Sequence, residues 1–327
     1  MSQRILCAIA AFMVVGATSY LAARQAPSPT TQADANWAQP RTAWGDPDIQ
    51  GIWSYATTTP LQRPVELGNK EFYTEEEAAA RDAQRAAAAD AAPQAGQTGT
   101  YDSVWFDRGS TALNRRTSLI IEPANGRFRP FTAEGQKRLA DRAAYRRDHP
   151  ADSWRDLNPE ERCIMYHGVP PLPTGYNNTY QVFQIPGYVA ILDESIHDVR
   201  MIPLDGRPHL GKDIRHWNGD SRGRWDGNTL VVETTNYRPD TVNGFPSSEN
   251  LHAVERFTRV SRDVMELQFT ITDPSIYTSS WTALLPMRRT EEKIYEYACH
   301  EGNHAMVGIL AGARAEEKAK ADAGAKR

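Results

Sequence analysis

From residue 179 onward the chain breaks into short segments that alternate apolar and polar residues, separated by Gly, Pro, Asn and Asp. This pattern constrains the fold more than any other feature. A strand sends successive side chains to opposite faces, so sustained alternation marks a strand with one face buried. Nine segments qualify: 180–185, 188–193, 199–204, 221–225, 229–237, 253–260, 264–272, 281–289 and 293–299. Pro186-Gly187 and Asp226-Gly227 supply tight connections between neighbours. Short strands joined by short turns pair antiparallel, and so many in succession favour curling or closure, which removes exposed edges. The predicted fold class is mainly β: an antiparallel curled sheet or a lipocalin-like β-barrel, with two peripheral helices.

The first half is less regular. Residues 48–55 read as an early strand, and its Gly51-Ile-Trp53 is similar to the Gly-x-Trp that opens lipocalin-type barrels. Thr74 and Glu77 have the spacing of a capping box ahead of an Ala-rich run, which predicts a surface helix over 74–92. A second helix is expected over 132–147, with its basic residues late, where the helix dipole favours them. Asn125-Gly126, between 118–121 and 127–129, signals a hairpin. No linker divides 44–313, so one β-rich domain is expected there. A flexible lead-in rich in Pro, Thr, Ala and Gln precedes it at 24–43, and a charged tail, a frayed helix or disorder, follows at 314–327.

Residues 1–23 have the layout of a secretory signal: Arg4, an apolar run over 5–16, and small residues at 17–19 or 21–23 for cleavage. The run is too short for a membrane helix, so no membrane attachment is expected once the segment, with Cys7, is removed. The remainder carries 36 basic and 41 acidic residues, a net charge near −5. Nucleic acid is therefore not an expected partner, since backbone binding needs a clustered positive surface. Cys163 and Cys299 are the two cysteines left, and an even count in an exported chain predicts a disulfide between them. The expected location is periplasmic or secreted.

At Arg116-Thr-Ser-Leu-Ile-Ile121, His197-Asp-Val-Arg-Met-Ile-Pro-Leu-Asp-Gly-Arg-Pro-His209, Gly219-Asp-Ser-Arg-Gly-Arg-Trp-Asp-Gly227 and Glu296-Tyr-Ala-Cys-His-Glu-Gly-Asn303, the chain resembles a large family of uncharacterised exported bacterial proteins. The resemblance runs from about Pro40 to Ala315. It implies export and assigns no catalytic role.

Candidate chemistry gathers in the β-rich half. If 293–299 is a strand, Glu296 and His300 share one face and Cys299 the other. In Leu251-His-Ala-Val-Glu255-Arg-Phe257 the alternation puts Glu255 on the inward face, where desolvation would raise its pKa towards a range useful for proton transfer. A buried salt bridge to Arg200 or Arg222 accounts for the same pattern. His252, Glu255, Asp273, His300 and Glu301 are the candidate catalytic set, placed at strand ends where a barrel has its mouth. Residues 101–109 interleave aromatics with charge, which suits either a ligand contact or a loop pinned to the barrel. Trp105, Asp107 and Arg108, with His197, Arg200, His209 and Trp281, are the candidate ligand-binding residues. His300 and His304 stand four apart but would share a face only if a helix began at once. Compact metal-ligand motifs are absent, so no cofactor is expected unless His197, His209, His252 or His300 assemble a divalent metal site from separate strands.

No G-x-S-x-G elbow or phosphate-cradling glycine loop is present, which argues against serine-nucleophile and nicotinamide or flavin chemistry. Two function classes remain. The first is an exported hydrolase, lyase or isomerase using His and carboxylate acid/base chemistry on a small aromatic or carbonyl-bearing molecule. The second is a non-catalytic barrel that binds a small apolar ligand.

Overall fold

The computed structural model describes residues 37–89, 107, 109–111, 113–239 and 244–325, without the side chains of Ala89, His197 and Ala325. The alternating segments form one antiparallel sheet of ten strands: β1 (Gly51–Ser54), β2 (Ile120–Glu122), β3 (Thr179–Ile185), β4 (Tyr188–Asp193), β5 (Val199–Pro203), β6 (Asp220–Asp226), β7 (Thr229–Thr235), β8 (His252–Arg259), β9 (Val264–Thr272) and β10 (Trp281–Thr290). Their order is β5-β4-β3-β1-β10-β9-β8-β7-β6, with β2 pairing β10 off this path. The early strand thus enters between β3 and β10 and joins two runs of hairpins into a single sheet.

Alternation places the core. In β8, Ala253, Glu255, Phe257 and Arg259 are buried while the residues between them are half-buried. The inward residues of β7, β9 and β10, including Leu230, Val232, Leu267, Phe269, Ala283 and Leu285, join Trp53, Tyr180 and Ile202 in one core. Burying each such large side chain contributes roughly 1.5–3 kcal/mol. The sheet is not closed by a backbone ladder, but its curl brings the end strands together. Arg200 on β5 donates to Ser221 Oγ on β6 at 2.8 Å and to Thr234 Oγ1 on β7 at 2.8 Å. A Cβ at Gly223 of β6 would lie 2.6 Å from Leu204 and 2.7 Å from Ile202, so only glycine admits this approach.

Three helices accompany the sheet: α1 (Glu75–Ala89), α2 (Ala133–Asp148) and α3 (His304–Ala325). The capping box forms, with Thr74 N–H donating to Glu77 Oε2 at 2.8 Å and Glu77 N–H to Thr74 Oγ1 at 3.2 Å. The side chain of Thr132 caps α2 by accepting from Gly135 N–H, while its hydroxyl donates to Ser275 O and fixes the helix to the turn between β9 and β10. The third helix takes up the helical alternative for the tail but begins ten residues earlier, at His304. It runs through the 313/314 boundary, with Arg314 bonded to the carbonyls of Ala151 and Asp152.

Two strand expectations fail. Residues 291–299 are irregular and Tyr295 is 77% exposed, because β10 ends where its partners do: Arg288 pairs with Val264 and Thr290 with Ile52. Alternation without a neighbouring ladder makes no strand, and most of the segment is exposed. The Asn125-Gly126 turn exists but makes no hairpin. After it, Phe128 N–H bonds the Gln62 side chain and Gly126 O accepts from Arg63 N–H, while β2 pairs instead with β10.

Between α2 and β3, residues 149–178 form no strand and lie against the core. Val169 and Leu172 enter it, and the Tyr237 hydroxyl donates to Val169 O at 3.0 Å. The predicted disulfide between Cys163 and Cys299 is present and ties this cap to the chain that follows β10.

Candidate functional site

A cavity of about 680 Å³ lies where the cap, α1 and the chain leaving β1 meet, a size that suits a small organic ligand. Residues 57–61 supply threonine hydroxyls and Leu61, α1 supplies Asp82, Arg85 and Ala86, and the cap supplies Glu160, Tyr166, His167, Leu172 and Thr174. Asp107, Gly109 and Leu119 also line it. Gly109 is required there, since a Cβ would fall 2.4 Å from Thr57 N.

Asp82 holds this wall together. It accepts from Thr58 Oγ1 at 2.9 Å, Ser110 Oγ at 2.7 Å, Thr111 Oγ1 at 2.8 Å and Thr111 N–H at 3.1 Å. Burial works against its ionisation, but the bonds from Ser110, Thr111 and Thr58 outweigh it and hold the carboxyl below its ordinary value. Asp107 accepts both the backbone N–H and the side-chain amide of Asn178 at 2.8 Å. Glu160 is different. Burial first, then the neighbouring Glu161, raises its pKa, with His167 acting in the opposite direction.

The His167 side chain is fully buried, and its partners fix its tautomer. Thr174 Oγ1 donates to Tyr176 O at 3.0 Å and so accepts from His167 Nε2–H at 2.9 Å. That leaves Nδ1 to accept from the Tyr55 hydroxyl at 2.8 Å, with Asp193 Oδ1 3.3 Å away. Burial, reinforced by Asp193, holds the Tyr55 phenol well above its ordinary value and keeps that proton available to donate. Tyr166 stacks on Tyr176 with centroids 5.7 Å apart, and burial raises its pKa too.

Among the described residues, those singled out from the sequence do not converge here, apart from Asp107. Glu255 is completely buried in the sheet interior and forms a two-pronged ion pair with Arg200, through Nη1 at 3.0 Å and through Nη2. Burial opposes the Arg200 charge, but Glu255 more than offsets this and holds the guanidinium above its ordinary value. This is the salt-bridge alternative of the sequence analysis. His252 is on the opposite face of β8, with Nε2 2.6 Å from Glu233 Oε1, so the two cannot share a proton-transfer site. Asp273 ties a turn, accepting from Ser248 N–H at 2.6 Å and Ser248 Oγ at 2.9 Å, and burial raises its pKa against those bonds. His300 and Glu301 are exposed between the disulfide and α3, not at a strand end. The helix begins at His304, so His300 lies outside it and the two histidines do not form a helical pair.

Trp281 is a core residue among Phe128, Phe245, Phe269 and Tyr277, not a ligand contact. His209 bonds Asp220 Oδ2 at 3.0 Å, beside the Arg222–Asp220 pair on β6. Trp105, Arg108 and the His197 side chain lie outside the described residues. Among the described residues, no group of three or more His, Cys, Asp or Glu side chains is arranged to hold a metal, so the possible set His197, His209, His252 and His300 finds no support there.

Sequence reasoning missed His167, Glu160 and Asp82. The first two stand in a Pro-rich stretch without periodicity, and Asp82 reads as one more charge on a surface helix. The available signal was position: Cys163 pins this stretch, and His167 follows four residues later.

No protein-family model matches the chain. No curated protein matches it either. Among solved structures, a "secretary abundant heat soluble (SAHS) protein from Ramazzottius varieornatus" is similar over 34% of this chain and 70% of that one, at 14% identity and a TM-score of 0.23. Among the described residues, no helix is long and apolar enough to cross a membrane.

Proposed function

We propose that this is an exported protein that binds a small molecule in the cavity beside His167. The observation that carries this reading is the cavity itself, about 680 Å³, with leucines on its wall and hydrogen-bonding groups around it. Export is supported by the signal-like residues 1–23, the resemblance to exported bacterial proteins, and a disulfide of the kind that persists in oxidising compartments. The location that follows is the periplasm or the exterior. The acidic balance argues against nucleic acid as partner.

A second reading, an acid/base enzyme working in this cavity, is favoured by one specific contrast. Glu160 has a raised pKa and Asp82 a lowered one, and both border the same space. Pairs of carboxyls pushed apart in this way divide acid and base roles in hydrolases and isomerases. Its chemistry would use Glu160 and not Glu255, whose carboxylate is committed to Arg200.

Both readings are tested by titrating an apolar fluorophore against the purified protein and an Ala86→Trp variant, which fills the cavity from α1. Saturable binding to the first and at least tenfold weaker binding to the second is expected. Equal binding to both sinks the assignment. Turnover of ester, lactone or enolisable carbonyl substrates that disappears in Glu160→Gln would select the enzyme.

A further inference from the structure

The charged and polar groups around the cavity divide into those the protein has already engaged and those it has not. Asp82 is held by Thr58, Ser110 and Thr111. Asp107 is held by Asn178, and both ring nitrogens of His167 have partners. Glu160 and Arg85 stand apart. Each borders the cavity, one from the cap and the other from α1, and among the described residues neither side chain forms a hydrogen bond or ion pair, with the other or with a third group. The same cavity has an apolar wall of Leu61, Leu119 and Leu172.

Resting on the reading of this cavity as a binding site, we propose that its ligand is a zwitterion with an apolar body, of the amino-acid or short-peptide class. The ammonium group meets Glu160, the carboxylate meets Arg85, and the apolar body lies on the three leucines. Both side chains are exposed, so water solvates them in the free protein, and among the described residues no protein group competes with a ligand for either charge. A ligand carrying only an anion would leave Glu160 unanswered, and one carrying only a cation would leave Arg85 so. Charge-assisted hydrogen bonds to a carboxylate or a guanidinium are about twice as strong as neutral ones, so removal of either charge should be visible in affinity. The raised pKa of Glu160 is in keeping with a carboxyl that lacks a protein donor.

The test is calorimetric titration of the purified protein with the dipeptide leucyl-phenylalanine and three derivatives of it: N-acetylated, C-amidated and blocked at both ends. The free dipeptide is expected to bind about tenfold or more tighter than either singly blocked form, with the doubly blocked form weakest. Glu160→Gln should abolish the preference for a free amine while keeping that for a free carboxylate, and Arg85→Gln should do the reverse. Equal affinity for all four would overturn the charge assignment and leave the cavity reading intact. Failure of all four to bind while the apolar fluorophore still binds would also overturn it. Failure of the fluorophore as well would bring down the binding site itself.

Discussion

In the sheet, β7 to β10 pair with their neighbours along most of their length, and the side chains they send inward are mostly apolar. Across the cavity, residues 149–178 have only a short 3-10 turn at Trp154–Asp156 for regular structure. They are held by a disulfide, by single bonds such as Tyr237 to Val169 O, and by the His167 network. The sheet draws mostly on many small apolar contributions, whereas the cap depends on a few specific ties. Substitutions in the sheet should therefore act on stability and leave affinity alone, and those around the cavity should act on affinity as well as on stability.

The disulfide is the largest single tie between the two regions. It closes a loop of 136 residues, for which the chain-entropy relation gives about 5 kcal/mol. A Cys163→Ser, Cys299→Ser double variant should lose a large part of that in urea denaturation. If the cap were independently stable, the loss would be small and affinity would not change.

Next comes the buried pair. Glu255→Ala strands the Arg200 charge in the core and should cost about 3–5 kcal/mol, whereas Arg200→Met with Glu255→Leu should recover much of it. Neither should alter ligand affinity. A fall in turnover or affinity at unchanged melting temperature would restore Glu255 to a functional role.

Asp82→Asn weakens the tie between α1 and residues 110–111 and should cost about 1–3 kcal/mol. The pH dependence follows from the direction of its shift. Its carboxyl is held below the ordinary value, so the stability it contributes is present above the unfolded value and is lost as pH falls through the folded one. Glu160 runs the other way: its pKa is raised, so stability declines as pH rises from the ordinary glutamate value through the folded one. Comparing the pH-stability profiles of Asp82→Asn and Glu160→Gln with that of the unmodified protein should resolve these opposite slopes. The smallest effect is expected on the outer face of β8, where His252→Ala breaks only a half-exposed contact with Glu233 and should change stability by less than about 0.5 kcal/mol.

The same contrast explains what the sequence revealed. Strands such as β3 and β8 were legible because burial on one face imprints a two-residue period, and Pro186-Gly187 and Asp226-Gly227 marked turns between neighbours. The period misled at 293–299, where alternation exists but no strand lies alongside to pair with it. Pairing partners distant in sequence, such as β1 with β10, leave no local mark. Glu255 was correctly read as inward-facing, and Arg200 was named as its competitor, but a one-dimensional pattern could not say which role it fills. The cavity was illegible because it is assembled from α1, the exit of β1 and an aperiodic cap. Hydrogen-bond networks such as that of His167 with Tyr55 and Thr174 have no spacing rule.

The central claim is that the cavity beside His167 receives a small molecule, and native mass spectrometry of protein purified from a bacterial envelope tests it most directly. The account predicts a discrete adduct that is released on denaturation and absent, or at least tenfold reduced, in Ala86→Trp prepared in parallel. An adduct equally abundant in both proteins, or none in either, would contradict it.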